Sequence, residues 1–449
     1  MKSIDRSRLQ SLMQREQKKF IDERPKSKAL FHRARKSLLA GVPMNWMVKW
    51  AGAFPPFVRE AQGAHFFDVD GIRYIDFCLG DTGAMTGHSP FATVKAVEEQ
   101  SRRGITLMLP GEDAIVVAEE LQTRFNLPYW QFALTATDAN RFSIRLARQI
   151  TGRPKILVFN WCYHGTVDET FITIGPDGAG PRPGNIGPPV NPAQTTKVVE
   201  FNDLDALEAA LVSGDVACVL AEPAMTNVGI VHPQPGYHKA LREITRERGT
   251  LLIIDETHTI CAGPGGFTRA ESLEADVIVF GKAIGAGIPG AAYGFSQEVA
   301  DRIAAKQELE NCDVGGIGGT LAGNALSLAA MRATLSKVLT KEAFDRMIPM
   351  AERWTAGVAQ AIAEAELPWH VTRLGCRAEY MFGPEPVNGQ QAHDAMDFEL
   401  ERFMHLYAMN RGILLTPFHN MALMSPQTEN EDVDRHTRVF RDAVKELCA

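Results

Sequence analysis

A lysine, Lys282, follows the apolar run Val277-Ile-Val-Phe280, with only Gly281 between, and glycines recur at 285, 287, 290 and 294. An amine desolvated at the end of a buried strand is a nucleophile able to form a Schiff base with an aldehyde. A second run, LLIIDETH, ends in Asp255 and Glu256. A carboxylate buried there without a partner is costly, which suits one that pairs with a cationic ring nitrogen. In ALTATDAN a helix opens near Thr137, where backbone N–H groups and the Thr135 and Thr137 hydroxyls could bind a phosphate. ILVFNWCYHG runs into Trp161, Tyr163 and His164, and an aromatic at that place could stack on a flat ring.

Each signal also has a structural reading: a salt bridge for Asp255, a snorkelling surface lysine, a plain N-cap, core aromatics. Their order along the chain is more specific than any one of them. Phosphate turn, aromatic, acid-Pro (Glu222-Pro223), aspartate and then lysine is the layout for a cofactor with a phosphate, a pyridine ring and an aldehyde, which is pyridoxal 5'-phosphate (PLP).

These residues need strands to deliver them to one edge. The segments KILVF (155–159), ACVLAEP (217–223), TLLIIDE (250–256) and VIVF (277–280) are short, apolar and rich in β-branched residues. Helical stretches such as 237–249 separate some of them, which predicts a mostly parallel sheet covered by helices. In such a sheet, ligands collect beyond the carboxyl ends of the strands. Upstream, FFDVDGIRYIDF predicts a hairpin turning at Asp70-Gly71. SPFATVKAVEEQSRRG predicts a helix with Ser89 as N-cap, Pro90 at its first position and Gly104 as its stop. A Gly-rich loop leads into a long helix over 315–339, and 175–192 reads as a long Pro/Gly loop. Beyond about 340 the texture is α+β, with amphipathic helices at 342–366 and 393–411, a strand at 378–382 and a last helix at 431–447. The expected division is an N-terminal segment and hairpin (1–85) contributing to a small domain, a large cofactor domain (86–330) and a C-terminal small domain (331–449).

Composition bounds the partners. The 449 residues suit two or three domains, and 47 basic against 54 acidic side chains give a net charge of −7. No nucleic-acid footprint follows from that balance. The seven cysteines are scattered, without CxxC or metal-ligand spacing, which favours a reducing compartment and argues against a metal site. No apolar run approaches the roughly 18 residues of a membrane span. The basic N-terminus lacks an apolar signal core, so a surface helix in a cytoplasmic protein is expected.

From about residue 30 onward the chain resembles the class III, ω-type aminotransferases, PLP enzymes of fold type I, and within them the glutamate-1-semialdehyde aminomutase and β-amino-acid aminotransferase branch. The resemblance rests on TGHSP (86–90), LTATDAN (134–140), YHG (163–165), AEP (221–223), DETH (255–258), FGKAIGAGIP (280–289) and GGT (318–320). It implies that Lys282 carries the cofactor as a Schiff base and that Asp255 holds the pyridine nitrogen. It also implies phosphate contacts at Thr135, Ala136 and Thr137, and ring contacts from Tyr163, His164, Glu222, Thr257 and His258. Thr320 would reach the phosphate of a partner subunit in a homodimer with shared sites. His258 stands where relatives carry Gln or Met. Where some relatives place a carboxylate-binding arginine, this chain has Trp46, with Trp50 nearby, and 414–426 contains no arginine. An aromatic, apolar substrate pocket is therefore expected.

The expected reaction is a ping-pong transamination between an amine, or a non-α amino acid, and a keto acid or aldehyde. The alternative is an aminomutase or racemase with the same cofactor, which needs no external acceptor. A catalytically silent α/β binding protein would keep the core and gain nothing from Lys282.

Overall fold

Three strands of the central sheet, Val216–Ala221, Leu251–Asp255 and Val277–Phe280, are buried at every residue. Continuous apolar runs of this kind are what a parallel strand needs when helices cover both its faces. The computed structural model describes residues 4–306 and 315–449. Their contacts divide into two units: residues 91–341 with 386–394, and residues 4–90 with 342–385 and 395–449.

The first unit holds a seven-stranded sheet. In spatial order its strands are Tyr129–Ala133, Ala291–Phe295, Val277–Phe280, Leu251–Asp255, Val216–Ala221, Lys155–Phe159 and Thr196–Val199. Ala291–Phe295 runs antiparallel to both its neighbours, and the other neighbouring pairs are parallel. The edge strands Tyr129–Ala133 and Thr196–Val199 and the antiparallel Ala291–Phe295 were not foreseen. The first two are only partly buried, so they lack the continuous apolar run that marks the central strands. Helix Ala136–Thr151 lays Phe142, Ile144, Leu146 and Ala147 into the same core as Ile156, Val158, Leu220, Ile253 and Val279.

Register decides what this sheet presents at one edge. Asp255 pairs with Val279, and Ile254 with Ala221. Phe280 pairs with Ala292, which pairs in turn with Phe132. The residues at or just beyond these strand ends (Thr135, Glu222, Asp255 and Lys282) therefore emerge side by side.

The 175–192 segment is not wholly a loop: Ile172–Gly175 and Gly178–Pro181 form a hairpin turning through Pro176 and Asp177, and Gly178, with φ +94°, opens the return strand. Helix Phe91–Ser101 starts after Pro90, and Ser89 has φ +50° with its hydroxyl donating to the Ala61 carbonyl, so Ser89 is not the expected N-cap. Helix Ala325–Lys337 packs on Phe91–Ser101 and Glu112–Phe125, so the division falls after it, at Lys341/Glu342, rather than near 330.

The second unit joins the two ends of the chain. The strands His65–Asp68 and Arg73–Asp76 form the expected hairpin, with Phe66 opposite Tyr74. Helix Arg6–Glu23 is the expected surface helix: it buries Leu9, Leu12, Glu16 and Phe20 on the side that packs on Phe398–Met409 and leaves the rest of its surface exposed or half-buried. Arg24, fully buried, donates to the Tyr74 hydroxyl at 2.9 Å, to Asn410 Oδ1 at 3.1 Å and to the Met409 carbonyl at 3.1 Å. The expected helix over 393–411 is two helices, Gly389–Asp394, which belongs to the first unit, and Phe398–Met409, which belongs to this one; Asp397 caps the latter by accepting from the Leu400 N–H. Among the described residues no helix is long and apolar enough to cross a membrane.

Candidate active site

Asp255 is the last residue of its strand and is buried, with 3 % of its surface exposed. Three donors hold it. Asn140 Nδ2 donates to Oδ2 at 2.9 Å, His164 Nδ1 lies 2.9 Å from the same oxygen, and the Thr257 N–H donates to Oδ1 at 3.0 Å. Burial pushes the carboxyl up, but the His164 hydrogen bond and charge, with Thr257 and Asn140, outweigh it and bring it down to about 2. For His164, burial works against the cation. The Cys162 sulfur and the Asp255 carboxylate outweigh that and push it up to about 10. The pair therefore presents a fixed negative charge backed by an imidazolium.

The neighbouring Glu256 faces elsewhere. It accepts from the Thr259 hydroxyl at 2.6 Å and from the Phe267 N–H at 3.1 Å, and also from the Thr268 N–H, so it holds the start of helix Gly266–Ala270. Of two adjacent carboxylates, strand alternation sends only Asp255 toward the helix that carries Asn140.

Lys282 opens a short 3-10 turn, Lys282–Gly285, in the left-handed region with φ +45°. A non-glycine residue held there is strained, and such strain gathers at functional sites. Its Nζ lies 2.7 Å from His258 Nε2. Gly281, just before it, touches the start of helix Ala136–Thr151: a Cβ there would meet the Ala136 Cβ at 2.8 Å.

At that helix start, Thr135 is the N-cap. Its hydroxyl accepts from the Asp138 N–H at 3.1 Å and donates to Asp138 Oδ2 at 2.9 Å. The Thr137 hydroxyl accepts from the Thr166 N–H at 3.0 Å. Both hydroxyls thus have work within the chain. The amides of Ala136 and Thr137, at the first two helical positions, have no partner within the helix and are the natural anion ligands. Gly165 closes the loop over this turn with φ +77°, and a Cβ on it would fall 2.1 Å from Thr137 Oγ1.

Tyr163 is half-buried and stands edge-on to Phe171 at 6.2 Å. His164 is buried behind Asp255. Glu222 is buried and accepts from the Thr226 hydroxyl. Thr257 is buried and its Oγ1 has no hydrogen-bond partner. Thr320 is exposed in the Gly-rich loop before helix Ala325–Lys337. Trp46 and Trp50 belong to the other unit, with rings 6.2 Å apart, and Trp46 meets Phe418 edge-on at 5.7 Å.

Two relationships escaped the sequence reading. Asn140 lies one helical turn after Ala136, a spacing that could have flagged it as sharing that face of the helix. The contact of His258 with Lys282 carries no sequence signal, since the two residues stand on separate strand ends.

The donor set fits PLP: a helix start with open amides for phosphate, a buried anionic carboxylate for a protonated ring nitrogen, a buried Thr257 hydroxyl without a partner, and an amine at the same sheet edge. Comparison with known proteins agrees. The Aminotransferase class-III family matches residues 47–444, and the chain belongs to that family. Its fold is that of the fold type I PLP enzymes, and its cofactor is PLP. The chain is 33 % identical over 439 residues, covering 95 % of this chain and 98 % of the relative, to glutamate-1-semialdehyde 2,1-aminomutase 2 of Exiguobacterium sibiricum. A crystal structure of a glutamate-1-semialdehyde aminomutase from Pseudomonas aeruginosa matches with TM-score 0.96 and 50 % identity, covering 99 % of each chain, and a variant of that protein is known in complex with PMP. An omega-transaminase from Sphaerobacter thermophilus matches with TM-score 0.85 and 28 % identity, over 94 % of this chain and 98 % of that one.

Proposed function

We propose that this chain is a PLP-dependent aminomutase, which moves an amino group between two carbons of one small amino aldehyde of the glutamate-1-semialdehyde kind. The observation that carries this is the 50 % identity, over 99 % of both chains, to a protein described as such an aminomutase. It departs from the ping-pong transamination expected from the sequence and takes up the alternative stated beside it.

When bound, PLP supplies an aldehyde that reacts with amines and a pyridinium that accepts the electron pair left on the amine-bearing carbon. The chain's own residues do the rest. The amides of Ala136 and Thr137 hold the phosphate. Asp255, kept anionic by His164 and Asn140, holds the proton on the ring nitrogen. Tyr163 and Thr257 bound the ring's faces. Lys282 would hold the cofactor through its amine, and as a free amine it is the base placed to take a proton from the amine-bearing carbon and to hand one back. Glu222 supports the ring side, and Thr320 reaches the phosphate of a second subunit in a homodimer.

The test is turnover of glutamate 1-semialdehyde with no keto acid present. The expected result is the isomer with its amino group on carbon 1, at a rate unchanged by added pyruvate or 2-oxoglutarate. Strict dependence on a keto acid, with its amino acid as co-product, would overturn this reading and establish the transaminase.

One observation favours that second reading. The Trp46, Trp50 and Phe418 rings cluster, and neither the 41–57 nor the 414–426 segment contains an arginine. A carboxylate is best met by a cationic fork, so segments without one favour an amine that carries no carboxylate. A transaminase of this kind would take 1-phenylethylamine in preference to β-amino or ω-amino acids at equal concentration.

A further inference from the structure

His258 Nε2 and Lys282 Nζ are 2.7 Å apart, and both side chains are half-buried. An ammonium and an imidazolium cannot share that distance. Both would be donors with no lone pair to offer, and their like charges would repel. The pair therefore holds at most one positive charge, carried by the proton between the two nitrogens.

Two carboxylates close by have donors of their own. Asp255 faces His164, Asn140 and the Thr257 N–H, and Glu256 faces Thr259, Phe267 and Thr268. Of the bases on the elements packed nearby, Arg332 is paired with Asp113 at 2.6 Å, and Arg269 donates to the Thr123 carbonyl at 3.4 Å. Tyr293 is buried in the core and Tyr163 is turned edge-on to Phe171. The Thr257 N–H bond to Asp255 fixes the turn after the strand, and residue 258 follows at once, on the side of the lysine turn.

We propose that His258 is the proton acceptor for Lys282. It takes the proton from the ammonium, so that the amine presents its lone pair, and it returns that proton when the amine is released. The N–H electron pair stays on Nζ, the proton bonds to Nε2, and one positive charge passes from lysine to imidazole; nothing is oxidised or reduced. The inference rests on the reading of Lys282 as the reactive amine, but its test does not depend on which reaction the loaded enzyme performs.

The test uses the cofactor-free protein. Lysines are labelled at neutral pH with trace acetic anhydride, and the extent at each is read by mass spectrometry in wild type, His258→Gln and His258→Phe. Glutamine can accept a hydrogen bond from Lys282 but cannot take its proton. The expected result is that Lys282 reacts roughly tenfold more slowly in both variants, while the other lysines keep their rates and so report an intact fold. A glutamine variant with wild-type Lys282 reactivity would reduce His258 to an orienting role and overturn the proposal. So would unchanged reactivity in both variants, or a wild-type Lys282 that reacts no faster than the surface lysines. Turnover of the loaded enzyme with and without keto acid is scored separately, so failure of the proposed function and failure of this proposal are distinct results.

Discussion

His164 Nδ1 and Asp255 Oδ2 lie 2.9 Å apart with neither residue more than 3 % exposed. The contact joins a loop after one strand to the end of another, and it keeps the carboxylate charged where burial alone would neutralise it.

That pair sets a pH dependence of stability. His164 rises from 6.5 to about 10 on folding, so its contribution is complete below pH 6.5 and is lost as pH rises toward 10. Asp255 falls from 3.8 to about 2, so its contribution is complete above 3.8 and is lost as pH falls toward 2. His164→Gln should cost about 3 kcal/mol in the window between, because it strands a buried carboxylate. Denaturant unfolding of the cofactor-free protein at a series of pH values checks this: the gap to wild type should narrow toward pH 10.

Asp255→Asn removes the charge but keeps the shape. Turnover should fall roughly a thousandfold, the size expected when a preorganised charge at the reacting centre is lost. Steady-state kinetics should show the loss in kcat rather than in KM, with the circular-dichroism spectrum unchanged.

Lys282→Ala should fold normally, since alanine keeps the Cβ at a position already held at φ +45°. Turnover should drop by at least about a thousandfold. The cofactor should then leave on gel filtration in denaturant after borohydride treatment, whereas in wild type it stays on the chain. A variant that keeps more than a trace of activity would remove Lys282 from its assigned role.

Gly281→Ala places a methyl 2.8 Å from the Ala136 Cβ and 3.2 Å from the Ala136 nitrogen. Gly281 has φ −134°, outside the left-handed region that would favour glycine, so the effect is chiefly one of space. Overpacking of this sort costs about 1–3 kcal/mol. Because the displaced element is the helix start proposed to hold the phosphate, PMP affinity measured by calorimetry should fall with stability.

Assembly is a separate expectation. If Thr320 serves the phosphate of a second subunit, the active species is a dimer with two equivalent shared sites. Sedimentation velocity with activity read on the same sample should find activity in the dimer alone, and Thr320→Ala should weaken cofactor retention without dissociating it.

Much of the central sheet and the identity of its two principal residues are legible along the chain. The strands Lys155–Phe159 and Val277–Phe280 coincide with their apolar runs, because a strand covered on both faces must be apolar at every position. The Asp70-Gly71 turn is equally local, with Gly71 at φ +91°. Asp255 and Lys282 stand out because a charged residue at the end of such a run is costly without a purpose. Edge strands, covered on one side only, carry a weaker pattern and pass unnoticed.

What the fold alone decides is which side chain meets which. Asn140 and Asp255 are 115 residues apart, and His164 and Asp255 are 91 apart. Sheet register and the packing of one helix bring them together, and neither leaves a trace in local periodicity. The same holds for the Thr135 hydroxyl, which the sequence offers to a phosphate and the helix takes for its own cap. It holds for Glu16 as well, buried near the N-terminus and bound by Asn410 and Arg411, across 394 and 395 residues. Residue type and spacing determined the chemistry this chain can attempt, since those depend on neighbours along the backbone. Its partners in space, and so the charge each group carries, came only from the tertiary structure, because hydrogen bonding and desolvation are set by whatever atoms lie within about 3 Å, whatever their distance along the chain.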